Sequence, residues 1–277
     1  MSGSLVFESW GPALALRQRP ALLTGHHYPL GCHDSPAPTV ERLLSGRVRR
    51  SEDVSLRRYM AVSRASGIGF RLDETNSVSC GGAAGVSNTF ASALWAADYI
   101  ARAMAAGVAG VNLQGAPANC RGYTPVCART PGLLAEGALT PQPEWYALLL
   151  TKALLGDRPI RATSSPARAN LDGLALLDGA RLHVLIVDDD PPGSGGSALS
   201  LHLGRGFGAA RALSLTAPSP SATSGILLGG RAVAPDGTWP APQEESLHPD
   251  HLGVLTLTAS PGSATLLSVV RTRAPHG

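Results

Sequence analysis

Residues 70–90, FRLDETNSVSCGGAAGVSNTF, concentrate the chemistry of this chain. A short apolar run ends on Asp73 and Glu74, a loop carrying Gly81, Gly82 and Gly85 follows, and a helix opens beyond it. A carboxylate at the C-terminal tip of a strand, just before a βα loop, is where an α/β barrel keeps its chemistry. Such a group serves as nucleophile or general base, and enzymes that cleave sugar acetals set two of them across the scissile bond. Neighbouring strand residues point to opposite faces, so one of Asp73 and Glu74 is expected to face the barrel axis. Glu74 is the prime candidate; its bland alternative is an exposed glutamate paired with an arginine.

Further polar residues fall at neighbouring strand tips. PALLTGHHYPL, residues 20–30, reads as a buried strand ending in His26, His27 and Tyr28. Tyr28 shares a face with His26 and can donate a hydrogen bond to a carboxylate, which favours the charged form. Asn76 and Ser77 follow Glu74 directly, and amides of the glycine loop can receive a hydroxyl or carboxylate of a ligand. Lacking the Walker lysine, this is no P-loop. Tyr123, in RGYTPVC, can reach the same mouth, although on residues alone a turn packed at a domain interface accounts for it better. His26, His27, Cys32, His33 and Asp34 offer metal ligands at a spacing that fits no standard zinc pattern, so no metal or other cofactor is expected. Cys32 and Cys80 follow strand tips whose loops can meet, and Cys120 and Cys127 bracket one loop. Two disulfides or buried thiols both satisfy this pattern, and four cysteines allow three pairings.

The elements that must hold these residues alternate. A short helix is expected over Thr39–Leu44. A longer one runs from Glu52 to Ala65, capped by Ser51 and stopped by Gly67. Residues 67–73 form the next strand. Ser87 caps a helix from about Asn88 to Ala106, ended by Gly107, and Val108–Leu113 is a third strand. Pro141 opens a helix containing Trp145, Leu148, Leu149 and Leu154. Crossovers of this length imply parallel strands and right-handed connections. From about Arg161 the texture becomes β-rich: Leu174–Leu177, Arg181–Val187, Ala198–Leu203, Ala210–Leu215, Gly225–Leu228, Gly253–Leu257 and Ala264–Val270 alternate with loops of Gly, Pro, Ser and Asp. That rhythm predicts a β-sandwich. The expected fold class is therefore α/β plus all-β. Residues 1–158 form an incomplete (β/α)8 TIM barrel of about three βα units, and residues 159–277 a C-terminal β-sandwich.

Composition excludes several classes. The 277 residues carry 23 basic and 20 acidic side chains, a net charge of +3 spread along the chain, so no nucleic-acid partner is expected. The densest basic cluster, Arg47, Arg49 and Arg50, reads as a solvated loop. No tract is long enough to span a bilayer. The start, MSGSLVFESWGPALAL, has no charged n-region and no apolar core ending in a small-residue cleavage site, so it is not expected to act as a signal peptide.

Taken in order, these motifs resemble glycoside hydrolase family 79, the heparanase-like and β-glucuronidase-like retaining enzymes. HHYPL looks like that family's sixth barrel strand, and LDETNSVSCGG with GVSNTFASALWAADY like its seventh strand, nucleophile and following helix. GVAGVNLQG is similar to the eighth strand; PEWYALLL and GILLGG…PGSATLLSVV are similar to the final helix and C-terminal β-domain. The resemblance implies Glu74 as catalytic nucleophile, Tyr28 as its hydrogen-bonding neighbour and Tyr123 as contact to a sugar carboxylate; His26 and Asn76, at the same strand tips, are expected to bind substrate. It also implies a uronic-acid glycoside as substrate and secretion of a full-length parent.

One departure is large. The clan's acid/base glutamate ends the fourth strand, usually after asparagine, and no Asn-Glu pair occurs here. Glu8, ahead of the sixth-strand segment, is a poor substitute. The expectation is a C-terminal fragment that hydrolyses negligibly alone and needs a missing N-terminal half. The alternative is a non-catalytic remnant, or a β-sandwich that binds carbohydrate or a partner.

Overall fold

Three parallel strands, β1 (Leu23–His27), β2 (Phe70–Thr75) and β3 (Val111–Leu113), lie side by side in the order β1-β2-β3 in the computed structural model of the chain. The structure describes residues 12–13, 17, 19–163, 170–179, 181–204 and 206–272; Glu8 falls outside them. The outer edges of β1 and β3 carry no further strand among the described residues, and no closed barrel forms there. The first crossover holds helices α1 (Val40–Leu43) and α2 (Gly46–Ser66), and the second holds α3 (Phe90–Ala106). A two-stranded pair, β4 (Val126–Cys127) with β5 (Thr140–Pro141), brackets α4 (Pro131–Ala135) and leads into α5 (Pro143–Thr151).

Helix α2 begins earlier than the sequence pattern implies. Ser45, not Ser51, accepts the Val48 amide as N-cap, and Gly67 closes the helix in the left-handed conformation as expected. The basic cluster is thus helical rather than a solvated loop, and Arg49 turns inward. Its guanidinium bonds Asp98 at 3.2 Å, Asn170 at 3.2 Å and Asp189 at 2.5 Å. Beside it Arg102 bonds Glu52 at 2.5 Å, Asp53 at 2.8 Å and Asp98 at 3.0 Å, while Trp95 donates to Glu52 at 2.7 Å. Burial pushes the Glu52 carboxyl up to about 7 against the pull of Arg102.

Helix α3 is buried on every side from Phe90 to Ala103, wider than a single apolar stripe demands. Its N-cap is Thr89, whose side chain makes no capping bond; the Phe90 and Ala91 amides bond the carbonyls of Ala222 and Pro220 instead. A loop from the β-rich region therefore satisfies the helix start that Ser87 was expected to cap. At the other end Val108 donates to Ala103 as part of the cap at Gly107, which shortens β3 to three residues. Pro143, rather than Pro141, occupies the first turn of α5.

The β-rich region contains β6 (Arg158–Pro159), β7 (Leu171–Asp178), β8 (Arg181–Asp188), β9 (Ser197–His202), β10 (Phe207–Thr216), β11 (Leu227–Leu228), β12 (Glu245–Leu247), β13 (Val254–Ala259) and β14 (Ser263–Arg271). The short β6 and β12 carry no strand signal in the sequence. Seven strands form one antiparallel sheet in the order β11-β10-β14-β8-β7-β6, with β12 also on β10, and β9 pairs with β13 separately. Strand β8 shows why RLHVLIVD is almost continuously apolar. Leu185 and Val187 join the core shared with α3 and α5, whereas Leu182, Val184 and Ile186 pack with Leu255 and Ala259 of β13. Both faces of the sheet are covered, so alternation disappears.

Candidate active site

Glu74 stands near the C-terminal end of β2, and its position depends on a register irregularity. Gly25 pairs with Leu72 but His26 pairs with Glu74, and on the other side Leu72 pairs with Val111 but Thr75 with Leu113. Asp73 is thus the extra residue of a bulge, which re-aims side chains at a strand tip. The consequence overturns simple alternation: His26 lies 3.5 Å from Asp73 through Nε2 and 3.6 Å from Glu74 through Nδ1. Both carboxylates border one partly exposed histidine.

The Tyr28 hydroxyl donates to Glu74 Oε1 at 2.8 Å. With that proton committed, the 3.3 Å contact to Tyr123 makes Tyr123 the donor to Tyr28. The Gly81 amide in turn donates to the Tyr123 hydroxyl at 3.2 Å. A directional chain therefore runs from the glycine loop through two stacked tyrosines, ring centroids 5.9 Å apart, to the carboxylate. Burial first, and then the bond the phenol donates to Glu74, raises the Tyr28 phenol well above its ordinary value, so it remains a donor.

The supports are local. Tyr59 of α2 donates to the His26 carbonyl at 2.8 Å, and Thr75 donates to the His27 carbonyl at 2.6 Å, pinning the β1 tip to β2. His27 itself is buried against Tyr99; burial, assisted by Arg102, lowers it to about 4, so it is neutral and structural. Cys32–Cys80 and Cys120–Cys127 are disulfides. The first joins the loops after β1 and β2. The ligand atoms of Cys32, His33 and Cys80 lie within 4.8 Å of one another, but the two sulfurs are bonded together and neither is a thiolate. Asp34 instead pairs with Arg42 at 3.1 Å.

Tyr28, Tyr123, His26 and Glu74 thus meet in one place, while Asn76 is fully buried. Its amide donates to the Gln114 carbonyl at 2.8 Å and to Glu144 Oε2 at 3.2 Å. Asn76 ties down the strand end rather than facing solvent. Sequence reasoning missed Asp73 as a neighbour of the same histidine, because a bulge leaves no mark in the residue pattern. It also missed Glu144, which reads as an ordinary acid in the first turn of a helix.

No family model and no curated protein matches the sequence. Solved structures do. A 4-O-α-L-rhamnosyl-β-D-glucuronidase from Fusarium oxysporum 12S, in complex with Rha-GlcA, superposes with a TM-score of 0.71 at 17% identity, over 96% of this chain and 64% of that one. The fold is that of a glycoside hydrolase. A GH51 arabinofuranosidase from Xanthomonas axonopodis pv. citri gives 0.65 at 12% identity over 95% and 56%, and a GH30 endoxylanase from Clostridium papyrosolvens C71 gives 0.52 at 10% over 92% and 50%. The chain spans between half and two thirds of the length of those structures. Among the described residues, no helix is long and apolar enough to cross a membrane.

Proposed function

We propose that this chain is the nucleophile-bearing C-terminal part of a retaining glycosidase of the family 79 type, acting on β-glucuronides or related uronic-acid glycosides. Glu74 attacks the anomeric carbon, Tyr28 holds it in place, and Tyr123 and His26 line the sugar's approach. The three parallel strands are the closing part of a TIM barrel, and the β-rich region from about residue 159 is its C-terminal sandwich. The observation that carries the reading is the 2.8 Å bond from Tyr28 to Glu74 at a strand tip, with Tyr123 behind it. The glucuronidase among the superposed structures supports a uronic acid as the sugar.

Retention needs a second carboxyl about 5–5.5 Å from the nucleophile. A segment outside this sequence supplies it. Loss of general acid help alone typically costs roughly 10²–10⁴-fold, so ordinary glucuronides are turned over negligibly by residues 1–277 alone.

A substrate that needs no acid tests the nucleophile directly. Dinitrophenolate departs as an anion without taking a proton, so 2,4-dinitrophenyl 2-deoxy-2-fluoro-β-D-glucuronide requires only attack by Glu74 on C1 as the C1–O bond breaks. The expected result is a stoichiometric mass increase of one fluoroglucuronosyl group, mapped to Glu74 and absent in Glu74→Gln. No adduct at Glu74 overturns the glycosidase reading in favour of a non-catalytic module.

A further inference from the structure

The loop joining β2 to α3 is held from beneath by a run of buried polar groups that no part of the proposed chemistry uses. Glu144, Asn76, Ser77 and Ser87 are each at most 1% exposed. Glu144 Oε2 accepts from Asn76 Nδ2 at 3.2 Å, and the same nitrogen reaches the Gln114 carbonyl at 2.8 Å, bridging the ends of β2 and β3. Asn76 Oδ1 then accepts from the Ser77 amide at 2.6 Å and the Ser77 hydroxyl at 3.1 Å. The Ser77 hydroxyl bonds Ser87 Oγ at 2.9 Å, and Ser87 Oγ accepts the Ala83 amide at 3.0 Å. Between these two anchors hang Gly81 and Gly82.

That suspended segment is what Tyr123 touches. Its amide donates to the Gly81 carbonyl at 3.3 Å while its hydroxyl receives the Gly81 amide at 3.2 Å. A Cβ added at Gly82 would sit 2.5 Å from the Tyr123 backbone nitrogen, so the loop and Tyr123 are in close backbone approach. Tyr123 then bonds Tyr28, and Tyr28 bonds Glu74. The route is continuous from α5 to the carboxylate, and Asn76 also lies only two residues beyond Glu74 along the chain.

We propose that Glu144 is a positioning residue for the Glu74 strand tip, fixing Asn76 and through it the Ser77–Ser87 loop on which Tyr123 and Tyr28 bear. The consequence for Glu74 rests on the glycosidase reading above. Asn76 needs an acceptor at this point, because its nitrogen is buried and a lost partner leaves that donor unpaired. A neutral carboxyl meets the need in an apolar site. Burial raises Glu144 to about 8, and among the described residues its Oε1 finds no partner and no cation bonds it. Glutamine supplies the same carbonyl acceptor with no charge; leucine fills the volume and supplies none.

The test compares the full chain with Glu144→Gln and Glu144→Leu, using amide hydrogen exchange and the rate of labelling by the dinitrophenyl fluoroglucuronide. In Glu144→Leu the Ser77 and Ala83 amides are expected to exchange at least tenfold faster, with the β8 amides unchanged. Labelling of Glu74 slows at least tenfold at saturating reagent. Glu144→Gln restores both. In the parent, protection of the same amides falls above about pH 8 after correction for intrinsic rates, and in Glu144→Gln it does not. Should Glu144→Leu not fold, Glu144→Asp takes its place, since it keeps polarity but withdraws the carboxyl by one methylene. Unchanged exchange at Ser77 and Ala83 in the leucine or aspartate variant overturns the proposal. A parent that takes no label refutes the glycosidase reading instead, while the exchange measurements still decide whether Glu144 holds the loop.

Discussion

Replacing Glu144 by glutamine should make the folded chain more resistant to unfolding at neutral and alkaline pH while changing little in acid. The carboxyl is fully buried, and burial lifts it from 4.5 to about 8 with only the Asn76 bond opposing. A group raised in this way binds its proton more tightly when folded. Its contribution is fully present below about pH 4.5, declines as the unfolded chain loses the proton, and is gone once pH passes about 8. Proton linkage puts the whole decline at about 5 kcal/mol, with about 3 kcal/mol of it already spent at pH 7. Glutamine has no proton to lose. Urea unfolding followed by tryptophan fluorescence, run on both proteins from pH 4 to 9, isolates this residue in the difference curve; Glu52 and Asp172, also raised by burial, cancel. The parent should lose ground to the variant steadily over that window. A difference curve flat to within about 0.5 kcal/mol would refute the reasoning, because Glu144 would then be ionised or solvated in the folded chain.

Three other outcomes follow from the same geometry. Tyr28→Phe removes a hydrogen bond to a carboxylate, worth about 1.5–3 kcal/mol, and should slow fluoroglucuronide labelling of Glu74 roughly 10- to 100-fold while leaving the circular dichroism spectrum as it is. Arg49→Met leaves buried Asp189 without its hydrogen-bonded guanidinium, while Asp98 keeps Arg102, and the loss should be about 3–5 kcal/mol in urea titrations near pH 7. That loss should shrink in acid, where burial already favours protonated Asp189. Replacing Cys32 and Cys80 by alanine opens a crosslink spanning 48 residues of sequence and should cost about 4 kcal/mol by loop entropy, against about 2 kcal/mol for Cys120 and Cys127, which are 7 apart. A larger loss from the shorter crosslink would show that loop entropy does not set the ranking.

Much of the fold was legible because local signals and global packing agree. Gly67 and Gly107 end their helices where the sequence places them, since each adopts the left-handed backbone that glycine tolerates best. The β-rich rhythm after Arg161 marked the long strands β7, β8, β10, β13 and β14 to within a few residues. Where boundaries moved, a distant partner moved them. Phe90 and Ala91 bond carbonyls of residues 222 and 220, which no window around Ser87 contains. Strands of two or three residues, such as β6 and β12, exist because a neighbour pairs with them rather than from any pattern of their own.

The site divides along the same line. Residue type and order alone pointed to Glu74 with Tyr28 and His26, because a carboxylate at a strand tip is recognisable from the apolar run before it and the glycine loop after it, whereas Tyr123 entered only through the family resemblance. Tertiary structure decided the rest. The bulge at Asp73 depends on the registers of β1 and β3, and it brings both carboxylates to His26. Asn76, beside Glu74 in sequence, turned inward because Gln114 and Glu144 offer it acceptors. Arg49 left the surface because Asp98 and Asp189 converge on it from segments 49 and 140 residues away. Sequence sets which groups are available for chemistry, whereas burial and pairing, which determine their charge, arise only when distant segments exclude water together.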